Sequence, residues 1–132
     1  MGAMKTLVLL LVGPLAALPP APLRAMEGTV RTFAVCAGRL SAVMEDQWMF
    51  DGPGSEQTEL QLHAMVALVE ATMEPGTGPQ VLDWRINAKV AQRALLAQAR
   101  LSTDMRLAQT AAARAEALAA ECRSMLLGSP GS

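Results

Sequence analysis

The sequence has no tyrosine, two tryptophans, two phenylalanines and a single histidine among its 132 residues. Strands favour aromatic and β-branched side chains, so an aromatic content of 3% argues against a sheet. Any general-base, haem or metal chemistry would have to use His63, because it is the only histidine. Alanine, the strongest helix former, is abundant over residues 88–120. The composition therefore favours helices.

Sequence patterns of catalysis are missing as well. No serine lies in a nucleophile-elbow pattern, and no glycine-rich phosphate loop follows a strand. Glu45 and Asp46 are adjacent and point to different faces of a helix, which makes them a poor acid–base pair. The formal net charge of -1 shows no basic excess for nucleic acid. The sequence predicts neither an enzyme nor a nucleic-acid-binding protein, and it implies no cofactor.

The N-terminal segment has the order of a secretory signal. One charge, at Lys5, precedes an apolar stretch from Thr6 to Ala17, and prolines then lead to Ala25. The apolar stretch is shorter than the ~20 residues that span a bilayer as a helix, and the prolines would interrupt an extension. We predict a signal peptide at residues 1–25, no permanent membrane anchor, and a periplasmic or secreted protein.

The rest of the chain divides into four helical segments with apolar residues three and four positions apart. The first segment places Phe33, Leu40 and Trp48 on one apolar face. Glycine and proline mark the next two breaks, and Ser55 is placed to cap the second helix. If the break at 102–104 fails, the last two helices fuse into one. The predicted helices cover 29–50, 55–74, about 80 to a turn near 102–104, and from that turn to Leu127 with Gly128 as the last C-cap.

Four helices with short connections most simply form an all-α, four-helix up-down-up-down bundle, here at residues 26–128 with a disordered tail at 129–132. This topology places the start of the first helix beside the end of the fourth. At ~1.5 Å of rise per residue, Cys36 and Cys122 then lie at nearly the same height along the bundle axis. An oxidising compartment favours a disulfide between them, the alternatives being two free buried thiols or an intermolecular link.

The charge pattern suggests a surface for a protein partner. Trp48 and Phe50 end the first helix beside acidic side chains, whereas the second half of the chain is more basic. Pairing between neighbouring helices explains this polarity most simply, but Trp and Arg also dominate protein interfaces. The candidate partner-binding residues are Trp48, Phe50, Trp84, Arg85, Lys89 and Arg93.

His63 and Glu59, one helical turn apart, are weak candidates for a metal site. No second histidine or thiolate completes the usual ligand set, so an exposed helix face is the simpler interpretation and we predict no metal. The nine methionines do not cluster as a copper or haem site demands. Met44, Met65 and Met73 have the spacing of core residues instead.

The run from Cys36 to Ala42, followed by Glu45, Gln47-Trp48 and the distant Cys122, resembles uncharacterised short exported helical proteins of Gram-negative bacteria. The resemblance implies a periplasmic helical module with a cysteine pair, and it attaches no activity. We therefore expect a non-enzymatic periplasmic protein that acts by protein–protein interaction or as a structural or accessory factor. The alternative is a carrier of a small ligand, metal or haem in the bundle core.

Overall fold

The computed structural model describes residues 2, 13 and 21–127, with the side chains of 25–127. Most of the predicted signal peptide, the Gly128 cap and the tail at 129–132 lie outside these residues. The described residues contain no strand, so the all-α class is confirmed for them. They form four helices: α1 (Ala21–Phe50), α2 (Gly52–Thr72), α3 (Gly78–Leu101) and α4 (Met105–Leu126).

Two helices begin earlier than predicted because proline is tolerated in a first turn, where its missing N–H is not needed. α1 begins at Ala21 rather than at residue 29. α2 begins at Gly52, so the Gly-Pro-Gly segment expected to separate the helices is part of α2. The predicted cap Ser55 is wrong. Asp51 is the N-cap, and its carboxylate accepts a hydrogen bond from the backbone N–H of Gly54 at 3.1 Å.

The predicted break between α3 and α4 is confirmed. Ser102 is the C-cap of α3, and Asp104 is the N-cap of α4. The Asp104 carboxylate accepts a hydrogen bond from the N–H of Leu107 at 3.2 Å, which satisfies one of the free donors at the start of the helix. The chain therefore reverses direction within three residues, and α3 and α4 form an antiparallel pair.

The helices run up-down-up-down, as predicted, with α1 at the centre of the bundle. α1 packs against each of the other three helices. α1 and α3 run parallel, because Arg31 lies over Trp84, and Glu45 pairs with Lys89 further along both helices. In the described chain no Cα atom of α2 lies within 8 Å of one in α3. The bundle is therefore not square, since α1 separates α2 from α3.

The predicted disulfide is confirmed and lies in the core. The Sγ atoms of Cys36 and Cys122 are 2.06 Å apart, and the Cα atoms are 5.3 Å apart. Leu40 and Met65 are fully buried beside them and fill the centre of the bundle. Met73, predicted as a core residue, is 39% exposed instead, because it is the C-cap of α2 and lies beyond the helical face.

α1 and α3 approach each other most closely at Gly38. A Cβ atom added there would lie 2.2 Å from the backbone oxygen of Arg85 and 3.0 Å from the Cβ of Ala88. Neither neighbour is the end of a flexible side chain, so neither can move aside cheaply. Glycine is therefore required at this position by packing, despite its cost inside a helix.

The first prediction concerns this contact. Gly38→Ala is expected to lower the free energy of unfolding by about 1–3 kcal/mol, because the added methyl group overpacks the α1–α3 contact. Gly28→Ala is the matched control in the same helix, where an added Cβ meets nothing within 4 Å. The control is expected to keep or slightly raise stability, by up to about 1 kcal/mol. Urea denaturation followed by circular dichroism measures both; equal effects of the two changes would contradict the packing argument.

The second prediction concerns the disulfide. Reduction is expected to lower the free energy of unfolding by about 4.5 kcal/mol, because the bond closes a long loop in the unfolded chain. Urea denaturation with and without reductant measures the loss. The Cys36→Ser/Cys122→Ser variant is the control, since its midpoint should not respond to reductant. An unchanged midpoint for the reduced native sequence would contradict the prediction.

Candidate functional site

One end of the bundle exposes large apolar side chains. Trp48, Met49 and Phe50 form the last turn of α1, and Leu101 and Met105 flank the connection between α3 and α4. Each of the five is between 56% and 80% exposed. The two groups lie at the same end because α1 and α3 run parallel. We call these five residues the end patch.

Trp48 continues the apolar spacing of α1, yet it is not buried as that spacing predicted. The reason is its position along the helix. Leu40 is the last fully buried α1 residue of the main core cluster, and Met44 is only partly buried against it. The last turn of α1 extends beyond this cluster, and Trp48 there is 62% exposed.

A cavity of about 240 Å³ lies between α1 and α3 at the end patch. Met49, Phe50 and Leu101 line it together with Leu96. Its volume is below the roughly 300–1,000 Å³ typical of sites that enclose a small molecule. A cavity of this size suits one or two apolar side chains inserted by a protein partner.

Arg100 fixes the charged side of this cavity. Its Nε donates to Oδ1 of Asp46 at 2.8 Å, and its Nη2 donates to Oδ2 at 2.6 Å. The guanidinium carbon also lies 3.6 Å from the centroid of the Phe50 ring. Hydrogen bonding to Asp46 raises the pKa of Arg100, although partial desolvation acts in the opposite direction. Arg100 therefore stays charged and holds the end of α1 against α3.

Arg100 was not among the predicted site residues, although the sequence contains a signal for it. Arg85, Lys89 and Arg93 follow one another at steps of four, and Arg100 comes two helical turns after Arg93. The basic row thus extends to the end of α3. The spacing does not identify the carboxylate that pairs with Arg100, because Asp46 is 54 residues away along the chain.

The candidate partner-binding residues do not form one surface. Trp48 and Phe50 belong to the end patch, and Arg93 lines its cavity. Trp84 is half-buried near the other end of α3, where it packs against a core cluster. Lys89 reaches α1, where it forms an ion pair with Glu45, and half-buried Arg85 has its backbone oxygen beside Gly38.

His63 and Glu59 lie on the exposed face of α2. Among the described residues, no three His, Cys, Asp or Glu side chains are grouped so that they would hold a metal ion. Nor does any helix in the described ranges combine the length and the apolar character needed to cross a bilayer.

No protein-family model, curated protein or solved structure matches the chain. The resemblance to short exported helical proteins of Gram-negative bacteria therefore stays a prediction.

The third prediction concerns Arg100. Arg100→Lys keeps the charge but loses the paired hydrogen bonds and the contact with Phe50. Global stability is expected to fall by about 1 kcal/mol, because the charge is kept and the Arg100 side chain is partly exposed. Amide hydrogen exchange in the last turn of α1 is expected to become faster, by up to about fivefold for each kcal/mol of local stability lost. Arg106→Lys is the exposed control on α4, and equal exchange in both variants would contradict the role of Arg100.

Proposed function

We propose that the protein is an exported, non-enzymatic binding module that docks a protein partner through the end patch. The observation that carries the proposal is the exposure of Trp48, Met49 and Phe50 in a single helical turn, of which Met49 and Phe50 line an apolar cavity. Contiguous exposed apolar surface commonly marks an interaction site, and Trp is among the most frequent anchors of interfaces. The role is therefore accessory or structural and requires no chemistry at the site.

The chemistry of the end patch indicates what the partner presents. Its centre is apolar, while Arg93 and Asp46 line the cavity and Asp51 follows Phe50 in the chain. Rim charges of both signs guide orientation more than they add affinity. We expect the partner to insert an apolar side chain into the cavity and to place polar groups around it.

Export to the periplasm or the exterior is part of the proposal. It is supported by the order of charged, apolar and small residues at the N-terminus, which is typical of a secretory signal. It is also supported by the Cys36–Cys122 pair, because disulfides form and persist mainly in oxidising compartments. The signal-like N-terminal segment and the disulfide support export independently, because they are different features in different parts of the chain.

The alternative function, a carrier with its ligand in the bundle core, has less support. Leu40, Met65 and the disulfide are fully buried at the centre of the bundle. A haem or a small molecule there would have to displace them, and closely packed interiors resist such displacement. Binding between proteins at the end patch requires no such rearrangement.

The fourth prediction tests the proposed function by photo-crosslinking in cells that produce the protein. A benzophenone amino acid at Met49 is expected to give a discrete cross-link to a partner protein. The same amino acid at Leu60, which is also exposed but lies on α2 outside the end patch, is the control. Adding Trp48→Ala should remove the Met49 cross-link, because the anchor of the patch is lost.

The Trp48→Ala variant must also remain folded for this comparison. Because Trp48 is exposed, its free energy of unfolding should change by no more than about 0.5 kcal/mol. Identical cross-links from Met49 and Leu60, or a Met49 cross-link that persists in folded Trp48→Ala protein, would contradict docking through the end patch.

A further inference from the structure

A second cavity, of about 660 Å³, lies between α1, α3 and α4, and it differs in charge from the end patch. Its charged lining residues are Arg31 and Arg39 from α1 and Arg114 from α4, and no Asp or Glu lines it. We call this cavity the basic groove. Three arginines from two helices therefore line one space.

The arginines of the basic groove have little compensation from acidic side chains. Within the described residues, neither Arg31 nor Arg114 forms an ion pair, and Arg39 approaches Glu121 only at 4.0 Å. By contrast, Arg100 holds its carboxylate at hydrogen-bond distance. The positive charge of these arginines is therefore available to a ligand. Because the groove lies between helices, the electric field of the arginines is concentrated there.

The apolar part of the lining, which we call the floor of the groove, consists of Val35, Ala88, Leu95 and Leu118, and the amides of Asn87, Gln92 and Gln98 lie among them. Trp84 also lines the groove, with Arg31 5.6 Å from its ring centroid. The volume falls within the range of small-molecule sites, roughly 300–1,000 Å³. A simple inorganic anion would use the arginines but leave the floor exposed to water. A neutral hydrocarbon would cover the floor but leave the arginines without a partner.

We propose that the basic groove binds an aliphatic carboxylate, with its acyl chain on the apolar floor and its carboxylate between the arginines. Arginine suits this role because its planar guanidinium donates paired hydrogen bonds to a carboxylate. The site is separate from the end patch, so this binding goes beyond the proposed function and does not depend on it. It also needs no space in the filled core, unlike a carrier of the usual helical-bundle type.

Trp84 provides the readout. The chain has two tryptophans, so Trp48→Phe leaves Trp84 as the only one and removes the signal of the end patch. Titration of this variant with octanoate is expected to give a saturable change in Trp84 fluorescence. Acetate lacks the apolar chain and 1-octanol lacks the charge, so both are expected to bind at least about tenfold more weakly.

Arginine variants test the charged half of the groove. In the Trp48→Phe background, Arg114→Gln is expected to raise the Kd for octanoate by about tenfold, because a charge-assisted hydrogen bond is lost. Arg31→Gln is the second variant, and Arg106→Gln is the control, as an exposed α4 arginine that does not line the groove. Circular dichroism confirms that each variant is folded before titration.

The same titrations can overturn the proposal. Equal affinities for octanoate and 1-octanol would show that the arginines take no part. An octanoate affinity that is unchanged in both folded groove variants would place the ligand elsewhere. A hexaglutamate peptide that binds as tightly as octanoate would mean that the groove takes acidic polypeptides, and the acyl-chain ligand would then be wrong.

Discussion

At Gly38 the backbone of α1 lies directly against the backbone of α3, and no other amino acid fits between Arg85 and Ala88. This contact makes α1 the central helix and brings two parallel helices together, which a square bundle would place diagonally. Because α1 and α3 touch, α2 packs on one side of α1 without reaching α3. The cavity at the end patch and the basic groove both lie along this α1–α3 pair.

α4 is held to this pair by few but specific contacts. Its buried positions are mostly alanines, such as Ala111 and Ala119, which bury little apolar area. The bond to Cys36 fixes the end of α4, and the side-chain amide of Gln92 donates to the carbonyl of Ala115 at 2.9 Å near its middle. On the α3 side of the basic groove the small side chains of Ala88, Ala91 and Ala94 leave space, and Arg114 and Leu118 of α4 line the opposite side.

The helices and their order were predictable because they depend on local signals, namely apolar spacing, glycine–proline breaks and the level of Cys36 against Cys122. The cap at Asp51 and the early start of α2 were not, since a Gly-Pro-Gly segment can end one helix or begin the next. The central place of α1 depends on what Gly38 meets in α3, which no spacing within α1 reveals. Likewise, the basic groove combines Arg31 and Arg114, which are far apart in sequence.

The charge distribution connects these two surfaces. Glu45 and Asp46 are adjacent in sequence, yet both reach α3, where Glu45 pairs with Lys89 and Asp46 with Arg100. Ion pairs between helices thus account for part of the basic row of α3, as the simplest interpretation of the sequence expected. These pairs use Glu45 and Asp46 on the side of the end patch, and neither carboxylate pairs with an arginine of the groove. Positive charge therefore remains at the basic groove, beside its apolar floor. At the end patch, positive and negative charges nearly balance around the apolar side chains.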